Sequence, residues 1–170
     1  MDNPPIQNFD SNEFRRILGH YPTGVCAVTA MVAEMPVGII VGSFTSASLD
    51  PPLIAFFPDK RSTTWPKIET IGHFCVNILA EHQNDVCNAL ASRSENKFEQ
   101  VIYRRSGSGM PVIEGSVAWI DCDLHGVHET GDHYMVLGRV LSLGVQHTHR
   151  PLIFFQGRYG QFSPIETSTG

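Results

Sequence analysis

Apolar residues along this chain fall mostly into short runs bounded by Gly, Pro, Asn, Asp or Ser, and these runs predict strands over 25–31, 37–41, 53–57, 74–79, 117–128, 134–145 and 152–155. Alternation is clearest in the run 117–128. There Ala118, Ile120, Cys122 and Leu124 share one face and Asp121 and Asp123 take the other, as in a strand with one wet side. In the next run Met135, Leu137, Leu141 and Leu143 fall together, and Glu129-Thr130-Gly131-Asp132 supplies the turn of an antiparallel hairpin. Helical spacing is confined to three places. Asp10-Ser11-Asn12-Glu13 is a capping pattern ahead of Phe14, Ile17 and Leu18, predicting a short helix that ends near Gly19 and covers a sheet edge. The segment 62–71 opens with Ser-Thr-Thr and has Pro66 near its first turn, and 83–92 carries Val86, Leu90 and Ala91 at helical spacing.

Strands of uneven length with helices inserted between hairpins suit an antiparallel barrel and not a βαβ array. Gly107-Ser108-Gly109 is followed by Met110-Pro111-Val112, so no third glycine completes a dinucleotide-binding fingerprint and the segment reads as a loop. A chain of 170 residues, 42% of them hydrophobic, buries a core as one domain without disulfides or a structural metal. That domain spans 10–162, with 1–9 and 163–170 as polar, flexible extensions. No apolar run approaches the ~20 residues of a bilayer helix. The first ten residues lack the basic and apolar regions of a secretory leader or transit peptide. The net charge of −5, with no basic run longer than Lys60-Arg61 or Arg104-Arg105, argues against nucleic acid as a main partner. Cys26, Cys75, Cys87 and Cys122 are widely spaced and read as reduced core residues, so a cytoplasmic location is expected.

Candidate chemistry begins at Gly42-Ser43-Phe44-Thr45-Ser46-Ala47-Ser48-Leu49-Asp50-Pro51-Pro52, a hydroxyl-rich stretch between two apolar runs. Small hydroxyls and backbone N–H groups bond the carbonyls and ring nitrogens of a planar heterocycle such as a flavin without adding charge. A strand with Ser and Thr on its solvent face, followed by a Pro-Pro turn, accounts for the same residues. Asp59-Lys60-Arg61-Ser62-Thr63-Thr64-Trp65-Pro66 puts two cations and three hydroxyls at a predicted helix start, which suits a phosphate, or simply N-capping by Ser62. Arg93 and Lys97 follow a helix end, where cations also complement the dipole.

His125, His128, His133, His147 and His149 prompt a metal reading, but no cysteine or carboxylate completes a recognisable ligand set, and no metal is expected. No G-x-S-x-G marks a nucleophile. His133 stands apart because it follows Gly131-Asp132 at a hairpin tip, where a polar ring can reach a ligand, although a lone surface histidine accounts for it as well.

The order of motifs carries more than any one of them. Tyr21-Pro22-Thr23-Gly24-Val25, the run from Gly42 to Leu53, Phe74-Cys75-Val76-Asn77-Ile78-Leu79, Lys97-Phe98, Gly131-Asp132-His133 and Pro151-Leu152 together resemble the flavin reductase-like split-barrel family, the FMN-binding split barrel. The resemblance spans about 14–162. It implies a mainly β fold, a six-stranded antiparallel split barrel with added helices, assembled as a homodimer with flavin near the subunit interface. It also implies an oxidoreductase in which NADH or NADPH reduces FMN or FAD, the reduced flavin passing to the oxygenase of a two-component monooxygenase. By matching position, Ser43, Phe44, Thr45, Ser46 and Ser48 would lie along the flavin ring and ribityl chain, and Lys60, Ser62 and Thr63 would hold its phosphate. Ala91, Ser92, Arg93 and Lys97 also fall on the flavin side. Asp132 and His133 would meet the nicotinamide, His133 positioning it, with Thr23 and Tyr159 as neighbours. Many relatives carry Thr where this chain has Ile40, which removes one hydroxyl from the ring's surroundings. Two other functions fit the same barrel: a non-catalytic carrier or sensor of flavin or haem, and an oxidase like the pyridoxamine-phosphate oxidases.

Overall fold

The computed structural model describes residues 10–165; the segment 1–9 and the end of the C-terminal extension lie outside them. Helix α1 (Ser11–Leu18) leads to a two-residue strand β1 (Thr23–Gly24). Strands β2 (Cys26–Val32) and β3 (Met35–Val41) form a tight hairpin whose turn residues Ala33 and Glu34 both have positive φ, 47° and 66°. Next come β4 (Thr45–Leu49), β5 (Pro52–Phe56), α2 (Trp65–Ile71), β6 (His73–Ile78) and α3 (Asn84–Ala91). A small hairpin, β7 (Tyr103–Arg105) and β8 (Pro111–Ile113), precedes the long hairpin β9 (Ala118–Thr130) and β10 (His133–Val145). The described chain closes with β11 (Leu152–Phe155) and β12 (Arg158–Gln161).

Every strand pairing is antiparallel, as the hairpin pattern predicts, and seven strands form one sheet in the order β3-β2-β6-β9-β10-β5-β4. Its two end strands, β3 and β4, are consecutive in the chain with only residues 42–44 between them. So short a link spans little more than ~14 Å even when extended, so the sheet has to curl until its edges meet at that corner. Among the described residues no ladder joins β3 to β4, so the sheet stays open at that seam. The curl wraps Phe56, Trp65 and Phe74, with Phe56 edge-on to both other rings at centroid distances of 5.6 and 5.4 Å. Gly138 is required where β10 passes Phe74, because a Cβ there would lie 2.6 Å from the ring's Cζ. A second cluster, Val25, Ala27, Leu79, Cys87, Leu90 and Leu152, sits under α3.

Asn77, the polar residue of the Val-Asn-Ile-Leu motif, is fully buried and joins three elements. Its side-chain amide donates to Thr29 Oγ1 (3.1 Å) and its carbonyl oxygen accepts from the Ile113 amide (2.8 Å), fixing β8 against β2 and β6.

Three expectations are corrected. Among the described residues helix α1 buries none of its side chains: Phe14, Ile17 and Leu18 are each more than half exposed. Asp121 is not on a wet face, because the Ser106–Met110 turn folds over it and Ser108 donates to it from both its amide and its hydroxyl (3.2 and 2.7 Å). On β10 the inward side chains are Val136 and Val140 beside Gly138, whereas Leu141 and Leu143 face out after a bulge between Val140 and Ser142. Both phases of that strand are apolar, so alternation alone gave it no unique side.

Candidate functional site

The corner where the sheet edges meet is held by Ser43. Its hydroxyl accepts from the Phe57 amide at 2.9 Å and lies 3.4 Å from the Phe57 carbonyl, clasping the end of β3 to the end of β5. Thr23 closes the other side. Its Oγ1 sits so near Gly42 that a Cβ there would come within 2.9 Å of it. Phe44 is half-buried and packs on the main core.

From this corner β4 runs along the edge of the sheet, so its outer backbone groups have no ladder partner. Thr45 and Ser46 are exposed, Ser48 is half-buried, and the strand bulges at Ala47, between the pairs Ser46–Ile54 and Ser48–Leu53. Among the described residues, neither Ser46 nor Ser48 has a side-chain hydrogen bond, and Thr45 has only a 3.4 Å contact to the Ser46 carbonyl. The stretch is thus both readings at once, an exposed hydroxyl strand and a neutral ledge of free donors and acceptors.

The predicted phosphate loop and the Gly-Asp-His hairpin, 70 residues apart in sequence, are brought into contact. The Lys60 amide donates to the Asp132 carbonyl at 3.0 Å, the Tyr134 amide to the Pro58 carbonyl at 3.0 Å, and Asp59 bridges His133. The Lys60 ammonium pairs with Glu129 at 2.9 Å and stands 5.4 Å from the centre of the Tyr134 ring. His133 is half-buried, with Nδ1 2.7 Å from Asp132 Oδ1, so Nε2 is the ring nitrogen left for a ligand. The same contact holds the Asp132 carboxyl below its ordinary value. Hydrogen bonds from Arg61 hold Asp59 well below the carboxylate range.

Ser62 and Thr63 precede α2, which begins three residues later than the hydroxyl pattern predicts. The Ser62 hydroxyl, two residues ahead of the N-cap Thr64, accepts from the Trp65 amide at 3.1 Å, and Thr63 is exposed. Ala91, Ser92 and Arg93 lie at the end of α3, which packs over β3 near Gly38. Lys97 returns to that end and donates to the Leu90 carbonyl at 2.9 Å, and burial lowers its ammonium from the ordinary value. Among the described residues no side-chain hydrogen bond ties this cluster to the β4 ledge. Tyr159 is on β12, in register through Phe154 of β11 with Thr23 of β1, so these three side chains share a face of the small sheet. Sequence reasoning missed three participants: Glu129 as the partner of Lys60, the Ser43 clasp, and Cys87, whose thiol meets Tyr159. Contacts between segments this far apart leave no local signal.

A neutral hydroxyl edge, a lysine loop and a histidine-tipped hairpin offer the groups that a planar, phosphate-bearing ring requires. The class of protein they define is a binder of flavin on a split antiparallel barrel. The chain belongs to the family described as the flavin reductase like domain, which matches residues 18–163. It is 56% identical over 157 residues to a flavin reductase of Pseudomonas putida, covering 92% of each chain. Nitrilotriacetate monooxygenase component B of Mycobacterium thermoresistibile superposes with a TM-score of 0.88 at 42% identity, over 94% of this chain and 93% of that one. The NADH:FAD oxidoreductase SgcE6 of Streptomyces globisporus, crystallised with NAD and FAD fragments, gives 0.85 at 32% identity over 91% and 94%. The protein is an NAD(P)H-dependent flavin reductase.

Proposed function

We propose that this chain reduces FMN or FAD with NADH or NADPH at the corner of the curled sheet and releases the reduced flavin to a separate monooxygenase. The observation that carries the reading is the contact between the Lys60 loop and the Asp132-His133 hairpin beside a hydroxyl strand without internal partners. In this reading Thr45, Ser46 and Ser48, with the free backbone edge of β4, hold the flavin ring and ribityl chain. Ser43 and Phe44 shape the corner rather than donate to it. Lys60 meets the phosphate: its pair with Glu129 is exposed, worth at most about 1 kcal/mol, and a phosphate dianion is the stronger partner. Ser62 and Thr63 sit beside it with hydroxyls. Ala91, Ser92, Arg93 and Lys97 remain on the flavin side of α3, although they are removed from the ledge.

The bound pair supplies the chemistry, a hydride passing from nicotinamide C4 to flavin N5. The chain's part is orientation. Asp132 fixes the His133 ring through Nδ1, and Nε2 positions the pyridine nucleotide by a hydrogen bond. Thr23 and Tyr159 flank it from the small sheet. A homodimer accounts for the outward apolar residues of α1 and for Leu141 and Leu143 on β10, which a second copy covers. Four free, buried cysteines suit the reducing cytoplasm, where NAD(P)H is available.

The test is a steady-state assay of NADH and NADPH oxidation with each free flavin, alongside oxygen uptake without nucleotide. Nucleotide consumption that saturates with added flavin supports the proposal. No consumption points to a flavin or haem carrier, and oxygen uptake on a small substrate alone points to an oxidase.

A further inference from the structure

We propose that Cys87 is a positioning residue for the pyridine nucleotide: its buried thiol donates to the Tyr159 phenol oxygen and leaves the phenol proton free for an acceptor oxygen of that ligand. The inference rests on the reading of Tyr159 as a neighbour of the nicotinamide half. Cys87 Sγ lies 3.1 Å from Tyr159 Oη, and Cys87 is fully buried on α3. Tyr159, by contrast, is 41% exposed, on an outer strand whose four residues are all exposed. Beyond the ladder to β11, this contact ties β12 to the body of the protein through a side chain.

The phenol is aligned as well as tethered. Its ring packs on Phe154 at a centroid distance of 5.3 Å, and Phe154 is directly opposite Thr23, whose Oγ1 abuts Gly42 at the corner of the ledge. A phenol held at its oxygen by one donor and at its ring by an aromatic neighbour keeps one direction for its own O–H. No acceptor for that proton is present among the described residues. Both groups keep their protons at neutral pH. Burial raises the Cys87 thiol above its ordinary value. The acceptor that fits is an uncharged or anionic oxygen, such as a carboxamide, ribose or phosphate oxygen of the nucleotide.

Four variants test the proposal in steady-state kinetics with NADH and flavin varied separately: Cys87→Ala, Cys87→Ser, Tyr159→Phe and the double variant Cys87→Ala/Tyr159→Phe. Circular dichroism confirms folding of each. Tyr159→Phe should raise KM for NADH about three- to tenfold with little change in the flavin KM or in kcat, the effect of losing one hydrogen bond. Cys87→Ala should reproduce most of that rise, Cys87→Ser, which keeps a donor, should restore the wild-type value, and the double variant should be no worse than Tyr159→Phe. If Tyr159→Phe raises KM but Cys87→Ala does not, or the two effects simply add, the positioning role of Cys87 is overturned while Tyr159 stands. An unchanged KM for NADH in Tyr159→Phe overturns the reading of Tyr159 and the inference with it. Should Cys87→Ala not fold, Cys87→Ser carries the test: a KM for NADH as high as that of Tyr159→Phe contradicts the proposal.

Discussion

His133, Lys60 and Ser62 separate three kinds of contribution. His133 is fixed by Asp132 and presents one ring nitrogen, so His133→Ala should raise KM for NAD(P)H more than for flavin; the opposite order would remove its assigned role. Lys60→Ala should weaken flavin binding by about 1–3 kcal/mol if the phosphate contact is charge-assisted, with unfolding unchanged because the Glu129 pair is exposed. Isothermal titration with FMN checks the first part and urea unfolding the second. Ser62→Ala differs, since its hydroxyl accepts from the Trp65 amide: about 1 kcal/mol of stability should be lost together with flavin affinity. Lys60 and His133 stood out in the sequence by their place in the family's order of motifs, and the structure brings their two segments into contact. The pairing of Lys60 with Glu129 was not legible, because nothing in either segment specifies the other.

Strands and helices divide along the same line. The strongly apolar runs and the β9–β10 turn were legible from pattern alone. Strand β4 was legible only as one of two readings of the hydroxyl-rich stretch, because Thr45-Ser46-Ala47-Ser48 pairs by backbone and buries little. The inner face of β10 was not legible, because both of its faces are apolar and a bulge shifts the phase. Three substitutions probe this level. Gly138→Ala drives a Cβ into Phe74 and should cost about 1–3 kcal/mol in urea unfolding, and an unchanged midpoint would mean that β10 does not pass over that ring. Ser43→Ala, which breaks the clasp to Phe57, should lower stability, whereas Ser46→Ala should leave the unfolding midpoint unchanged and lower flavin affinity. If Ser43→Ala and Ser46→Ala behave alike, clasp and ledge are not separate devices.

For the whole molecule, burial of the thiols sets the alkaline limit. The folded chain holds Cys26 and Cys122 at about 12, against an ordinary value of 9.0, because burial penalises the thiolate. Unfolded thiols bind fewer protons than folded ones above the ordinary value, so stability is level below it and falls as pH rises from about 9 toward about 12, by up to ~1.4 kcal/mol per pH unit for each thiol. Urea midpoints measured across that range check the sign, and a midpoint that rises would contradict it. The curl of the sheet is also a property at this scale. It follows from a three-residue link between its end strands, 42–44, which only the topology reveals.

The arrangement of both ligands at one corner is the claim on which the rest depends. Crystals soaked with FMN or FAD and then with NAD test it most directly. The flavin ring should lie along Thr45, Ser46 and Ser48 with its phosphate at Lys60, and the nicotinamide should stack on it within reach of His133 and Tyr159. A flavin found elsewhere, with that edge of β4 bare, would contradict the account.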